Sequence, residues 1–216
     1  MSVAIFVGPT FPFGQITNHL QISATILPPI KRGDIEEIKK NHEIIVIIDG
    51  VFHSTLSVSA REILLALREN KIIYGCSSMG ALRAAELDKL GMIGVGDVYE
   101  MYANRTITSD GEVALLFDPI TFENMTIPLV NVRFGISQAV KKRIITQSIG
   151  RRLLMIASQI HYTELDYLSL IKKASEDANL GVYDKLYKYF VQCSNELDLK
   201  RLDAIHLIEK LNILYK

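Results

Sequence analysis

The sequence predicts an α/β fold: an open, mostly parallel sheet with helices on both faces, followed by a helical C-terminal region. Three observations carry this. Short apolar runs alternate with amphipathic segments from Val3 to Leu87 in the order β-α-β-α-β-α-β-α, which is the pattern of strands joined by crossover helices. The run Glu43-Ile44-Ile45-Val46-Ile47-Ile48 is apolar on both faces, as a central parallel strand must be. From about Ile136 the texture changes to helical periodicity with charged faces. The expected organisation is a core domain over 1–135 and a helical region over 136–216.

Taken in order, Val3 to Val7 is a buried strand stopped by Gly8-Pro9-Thr10. A short helix is expected around Thr17 to Gln21, then a weak strand from Ser23 to Ile26 ended by Pro28-Pro29. Asp34 reads as the N-cap of a helix to about Lys40, with Glu36 and Glu37 in its first turn. The Glu43–Ile48 strand ends in Asp49-Gly50-Val51-Phe52-His53. Ile63, Leu64, Ala66 and Leu67 form a helical stripe within 59–69, and Ile72 begins the fourth strand. Gly91-Met92-Ile93-Gly94-Val95-Gly96 reads as a loop, because it lacks GxGxxG spacing and follows no clear strand. Asp97 caps a helix to about Ala103. Ser109 and Glu112 have capping-box spacing ahead of Val113 to Phe117. Glu123 to Phe134 looks extended, with Pro128 confining it to an edge strand or loop. Helices follow at roughly 136–148, 150–160, 163–178, 182–194 and 198–214, the last with Leu199, Leu202, Ile205, His206 and Ile208 at helical spacing. Tyr183, Tyr187 and Phe190 read as a core stripe.

The stretch Gly75-Cys76-Ser77-Ser78-Met79-Gly80-Ala81-Leu82-Arg83-Ala84-Ala85-Glu86-Leu87 joins a strand to a run of strong helix formers. Cys76 and Gly80 are small residues two positions either side of Ser78, the spacing of a nucleophile elbow with Cys where Gly is usual. Ser78 then stands at the head of a helix, where unpaired N–H groups and the helix dipole hold an anion. Ser78 as a simple helix cap is the competing reading. In doubly wound sheets of the Rossmann or flavodoxin kind, ligands bind beyond the carboxyl ends of the strands. A strand order 2-1-3-4 brings Gly8-Pro9-Thr10, Asp49 to His53 and Cys76 to Gly80 together there.

Composition narrows the function classes. The 216 residues carry zero formal net charge, so no global field draws nucleic acid or a membrane surface. Two cysteines, Cys76 and Cys193, make neither a disulfide framework nor a metal-ligand spacing, and a reducing cytoplasm is the expected home. The N-terminal residues read as a strand, without the basic region of a signal peptide. No cofactor is expected. Asp110 and Glu112 are read as capping residues before metal ligands.

These residues together resemble the TfuA-like proteins. The likeness runs in order through Phe6-Val7-Gly8-Pro9-Thr10, Pro28-Pro29-Ile30-Lys31-Arg32-Gly33-Asp34, Ile48-Asp49-Gly50-Val51-Phe52-His53, Glu62-Ile63-Leu64, Tyr74-Gly75, Ser77 to Leu87, Gly91 to Gly96, Asp110 to Ala114 and Val130-Asn131-Val132-Arg133. The Ser-Met-Gly-Ala-Leu-Arg-Ala-Ala-Glu run is its most specific part. Asp110-Gly111-Glu112 departs from a common Asp-Asp-Glu, and Arg61 stands where Lys is frequent. The resemblance implies a partner of YcaO enzymes, the ATP-dependent cyclodehydratases and thioamide synthases that convert a peptide backbone amide to a thioamide in ribosomal peptide natural products. The TfuA-like partner is thought to supply sulfur from a ThiS-like carrier or other sulfide donor, or to activate the YcaO.

Sulfur release from a C-terminal thiocarboxylate is acyl transfer, which needs a nucleophile, a base and oxyanion donors. Ser78 is the candidate nucleophile, His53 the candidate base and Asp49 its orienting carboxylate. The N–H groups of Met79 and Thr10 are the candidate oxyanion donors, with Gly80 beside them. Arg83, Glu86 and Arg32 are candidate substrate contacts, although Arg83 and Glu86, three apart on a helix, can simply pair. Cys76 is a second nucleophile candidate. A non-catalytic module that docks on the YcaO or the carrier is the alternative.

Overall fold

The structure, a computed structural model, describes residues 1–11, 15–52, 56–175 and 180–216. Its strands are β1 (Val3–Phe6), β2 (Ala24–Leu27), β3 (Ile44–Ile47), β4 (Ile72–Gly75) and β5 (Ile93–Gly94). All pair in parallel in the order β2-β1-β3-β4-β5. The 2-1-3-4 order is therefore present, and β5 extends it. Ile93 and Gly94 had read as loop, because a two-residue strand is too short to show a period. Its register is set by Tyr74 opposite Ile93 and Gly75 opposite Gly94.

The chain forms two compact units. The first comprises Met1–Asp110, Pro119–Glu123 and Lys200–Lys216, and holds the sheet. On one face lie α1 (Asp34–Ile38), α2 (Ala60–Arg68) and α3 (Met79–Leu87), packed on Phe6, Ile45, Ile47 and Ile73 through Ile35, Ile63, Ala66, Met79 and Ala84. On the other face α9 (Leu199–Leu214) covers Ile5, Val46, Ile48, Tyr74 and Cys76 with Ala204, Leu207, Ile208 and Leu211. Burying apolar side chains from both faces is what makes a continuous Ile-rich β3 stable as a central strand. Of the α9 residues expected at helical spacing, Leu199 and Ile208 are buried and Ile205 is partly buried. Leu202 and His206 are exposed, and the covered positions include Lys200, Asp203 and Asn212.

Local chemistry explains the ends of these elements. Ser59 and Glu62 form a full capping box on α2, and Glu62 Oε2 also accepts from Gly33 N at 2.7 Å, tying the loop after β2 to that helix. α1 starts at Asp34 itself, preceded by Gly33, and the Asp34 carboxylate accepts from Lys31 N. α4 (Asp97–Ala103) begins where expected.

The second unit comprises Gly111–Asp118 and Asn124–Leu199. It contains α5 (Leu129–Lys141), α6 (Gln147–Gln159), α7 (Tyr167–Ser175) and α8 (Leu180–Gln192). Their shared core includes Val132, Ile136, Leu153, Ala157, Leu170, Leu186 and Phe190. Tyr183 and Phe190 are buried there and Tyr187 packs partly against them, with Cys193 also partly buried. The extended reading of Glu123 to Phe134 is overturned, because Leu129 onward is helix. Val130 and Val132 alternate like a strand, but Pro128 directly precedes the helix, where its missing N–H costs nothing. Burial of Val130, Val132, Ile136 and Ala139 outweighs β-branched propensity. No helix follows the expected capping box at Ser109. Asp110–Glu112 is a single 3₁₀ turn, and Glu112 instead takes a two-bond contact from Arg133 at 2.8 Å each.

Candidate active site at the carboxyl ends of the strands

The turn from β4 to α3 is tight because two glycines let backbone meet backbone. A Cβ on Gly80 would collide with the Ile47 carbonyl oxygen, and one on Gly75 with the Gly80 carbonyl oxygen. Gly80 N also donates to Ile48 O at 3.3 Å, so the first turn of α3 is bonded to the end of β3. The positive φ of this turn falls on Ser77, at +63°. Ser78 N donates to Cys76 O at 2.7 Å, closing a three-residue turn of the rare strained kind with Ser77 at its apex. Ser77 is fully buried, and its hydroxyl donates to Lys200 O at 2.7 Å, with Cys76 Sγ 3.2 Å from the same oxygen.

Ser78 occupies the N-cap position of α3 but makes no side-chain cap hydrogen bond. Among the described residues its hydroxyl has no hydrogen-bond partner, and neither does the N–H of Met79. The residue is 2% exposed. An unpaired hydroxyl next to an unpaired N–H at a helix head is a nucleophile-and-oxyanion geometry.

Asp49, 1% exposed, organises the neighbouring turn. Its Oδ2 accepts from Gly8 N at 3.0 Å and Thr10 N at 2.9 Å, and its Oδ1 from Thr10 Oγ1 at 2.7 Å. The Thr10 N–H, an expected oxyanion donor, is thus engaged by Asp49. The carboxylate fills the anion-binding hollow that a β1 turn offers in doubly wound sheets. Lys200 Nζ lies 3.8 Å from Asp49 Oδ1, and both side chains are 2% exposed.

A second carboxylate from α9 does the same for α4. Asp203 accepts from Asp97 N at 2.9 Å and Val98 N at 2.8 Å. Gly96 precedes them at φ +96°, and any side chain there would strike the Asp203 carboxylate. Burial pushes the Asp203 carboxyl up to about 7, against the two N–H groups that pull it down. Burial also pushes the Cys76 thiol well above its usual range, so it stays a thiol, and a thiol is a poor nucleophile.

Arg83, Glu86 and Arg32 are engaged by other partners. Arg83 donates through Nε to Val58 O at 3.0 Å and through Nη1 to both oxygens of Glu86, a surface pair on α3. Arg32 is exposed in the loop before α1, its N–H on Leu56 O at 2.7 Å. His53 lies outside the described residues. Lys200 and Asp203 were missed. They are charged residues three apart, in phase with Ala204, Leu207 and Leu211. No cluster of potential metal ligands exists among the described residues, and no described helix is long and apolar enough to cross a membrane.

The family model described as "TfuA-like protein" matches residues 49–165. The chain belongs to the TfuA-like family. No curated protein matches it. Membership supports a role in thioamidation-related biosynthesis and an association with that machinery. In this TfuA-like chain the matched span starts at Asp49 and contains the whole elbow. α9, with Lys200 and Asp203, lies beyond it.

Proposed function

We propose that this TfuA-like chain is a Ser78-dependent hydrolase that releases sulfide from the C-terminal thiocarboxylate of a ThiS-like carrier, for use by a YcaO enzyme in peptide thioamidation. The observation that carries the reading is the Ser78 hydroxyl at the head of α3, without a partner among the described residues and adjacent to the unpaired Met79 N–H. Ser78 Oγ attacks the thiocarboxylate carbon, and negative charge develops on the carbonyl oxygen. The Met79 N–H and the α3 dipole stabilise that charge. The C–S bond breaks, hydrosulfide leaves, and the tail remains as an ester of Ser78. Water then attacks the ester, giving the carrier carboxylate and regenerating the hydroxyl. His53 is the proposed base. Asp49 serves by holding the Gly8–Thr10 turn, and Gly80 by allowing α3 to approach β3.

A second reading is favoured by the 2% exposure of Ser78: a docking module that recruits YcaO or the carrier without chemistry of its own. Ser78→Ala separates the two. The hydrolase reading predicts at least about a 1,000-fold loss of sulfide release, with thioamide formation restored by added sulfide. No sulfide release by the wild type, with carrier-dependent thioamide formation unchanged in the variant, establishes the docking reading instead.

A further inference from the structure

We propose that Lys200 is a positioning residue of the elbow, so that the first turn of α9 is a working part of the site; this rests on the hydrolase reading. Residue 200 makes two ties at once. Its carbonyl oxygen takes the Ser77 hydroxyl at 2.7 Å, pinning the apex of the strained turn. Its ammonium stands 3.8 Å from Asp49 Oδ1, and Asp49 in turn holds Gly8 N, Thr10 N and Thr10 Oγ1. The next residue adds a third tie, since the Arg201 guanidinium lies 4.4 Å from the centre of the Phe11 ring and donates to Gln15 Oε1 at 3.0 Å. One helical turn therefore reaches the chain beyond β1, β3 and β4.

Packing alone does not call for a lysine here. The positions one and two turns further along the same face are Ala204 and Leu207, both fully buried, and an apolar side chain at 200 would continue that stripe. Burying an ammonium is costly unless a counter-charge is held close. Asp49 is that counter-charge, and it is the group that shapes the turn facing the elbow. A 1 Å misplacement of a reacting group costs about 100-fold in rate, so the tie acts on turnover more than on binding.

The test is Lys200→Met, alone and combined with Asp49→Asn, in the full chain. Sulfide release from a thiocarboxylated carrier is measured with kcat and KM separated, alongside urea midpoints and amide exchange. The single variant is expected to lose about 100-fold in kcat with KM changed by less than about threefold. Exchange at the Thr10 and Ser78 amides, bonded to Asp49 and to Cys76 O, is expected to rise about tenfold, while Leu153 and Ala157 in the helical unit keep wild-type rates. The double variant removes both buried charges, so its midpoint is expected to recover while kcat stays low. Recovery of kcat together with the midpoint would reduce Lys200 to a structural residue and overturn the proposal. If the wild type releases no sulfide, the hydrolase reading falls on its own, and exchange alone then decides: unchanged rates at Thr10 and Ser78 overturn the positioning role, and raised rates sustain it.

Discussion

The two faces of the sheet bury different things. Under α1, α2 and α3 the core is apolar throughout, from Phe6 and Ile35 to Ile73 and Leu87. Under α9 the same sheet meets Lys200, Asp203 and Asn212 as well as Ala204 and Leu207. Each of those polar side chains is committed to a strand end or a connecting loop: Lys200 to Asp49, Asp203 to the start of α4, and Asn212 to Gln21 N and His19 O at 2.8 Å each. One face supplies cohesion by burial. The other gives up some cohesion to fix where loops sit, which is what a site built from loops requires.

Substitutions on each face sharpen this contrast. The largest effect is expected on the apolar side, from Gly80→Ala. Its Cβ would meet the Ile47 carbonyl oxygen, which is backbone and cannot step aside. More than about 4 kcal/mol of destabilisation is expected in urea unfolding. A fully stable variant would show that α3 can slide away from β3.

Next comes Asp203, through pH. Its folded pKa, about 7, is raised above the unfolded carboxylate value, so the folded state holds its proton where the unfolded state has lost it. Stability from this group is therefore present at acid pH and declines as pH rises from about 4 to about 7. The charge that faces it is the Asp97 carboxylate, which also raises its pKa. Asp203→Asn removes the titration and sets an NH2 group against one of the two N–H groups, a cost that does not change with pH. The wild-type advantage over the variant is expected to shrink by about 3 kcal/mol between pH 4.5 and 7.5. A difference independent of pH would mean that the carboxyl is ionised throughout.

Asn212→Ala strands one donor and one acceptor, and a loss of about 2 kcal/mol is expected, again from urea midpoints. The smallest effect belongs to Glu86→Ala on the surface of α3. It breaks a solvent-exposed pair with Arg83 and is expected to change stability by less than about 0.5 kcal/mol. A Glu86 effect as large as that of Asn212 would erase the distinction between surface pairing and buried anchoring.

Much of the α/β unit was legible before any coordinates. Alternating apolar and amphipathic runs announced the sheet and its order, and the small residues around Ser78 announced the tight turn. Which serine carries the positive φ was not legible. Ser77 and Ser78 are identical in type, and only the backbone puts the positive φ on the first. The polar part of the buried α9 face was hidden because charged residues are discounted from a buried stripe. Counting Lys200 and Asp203 with Ala204, Leu207 and Leu211 gives the face that the sheet covers. The start of α5 was hidden because Val130 and Val132 alternate in the manner of a strand, and the burial that decides for helix comes from α6 and α8, distant in sequence.

The central claim is that one hydroxyl at the head of α3 forms an ester with the substrate tail. Intact-mass measurement of the protein quenched during turnover of a thiocarboxylated carrier, followed by peptide mapping, tests it most directly. The account predicts a covalent adduct of the carrier on the peptide containing Ser78, absent from Ser78→Ala. Sulfide release that proceeds at the wild-type rate with the adduct on another residue, or that persists in Ser78→Ala, would contradict it.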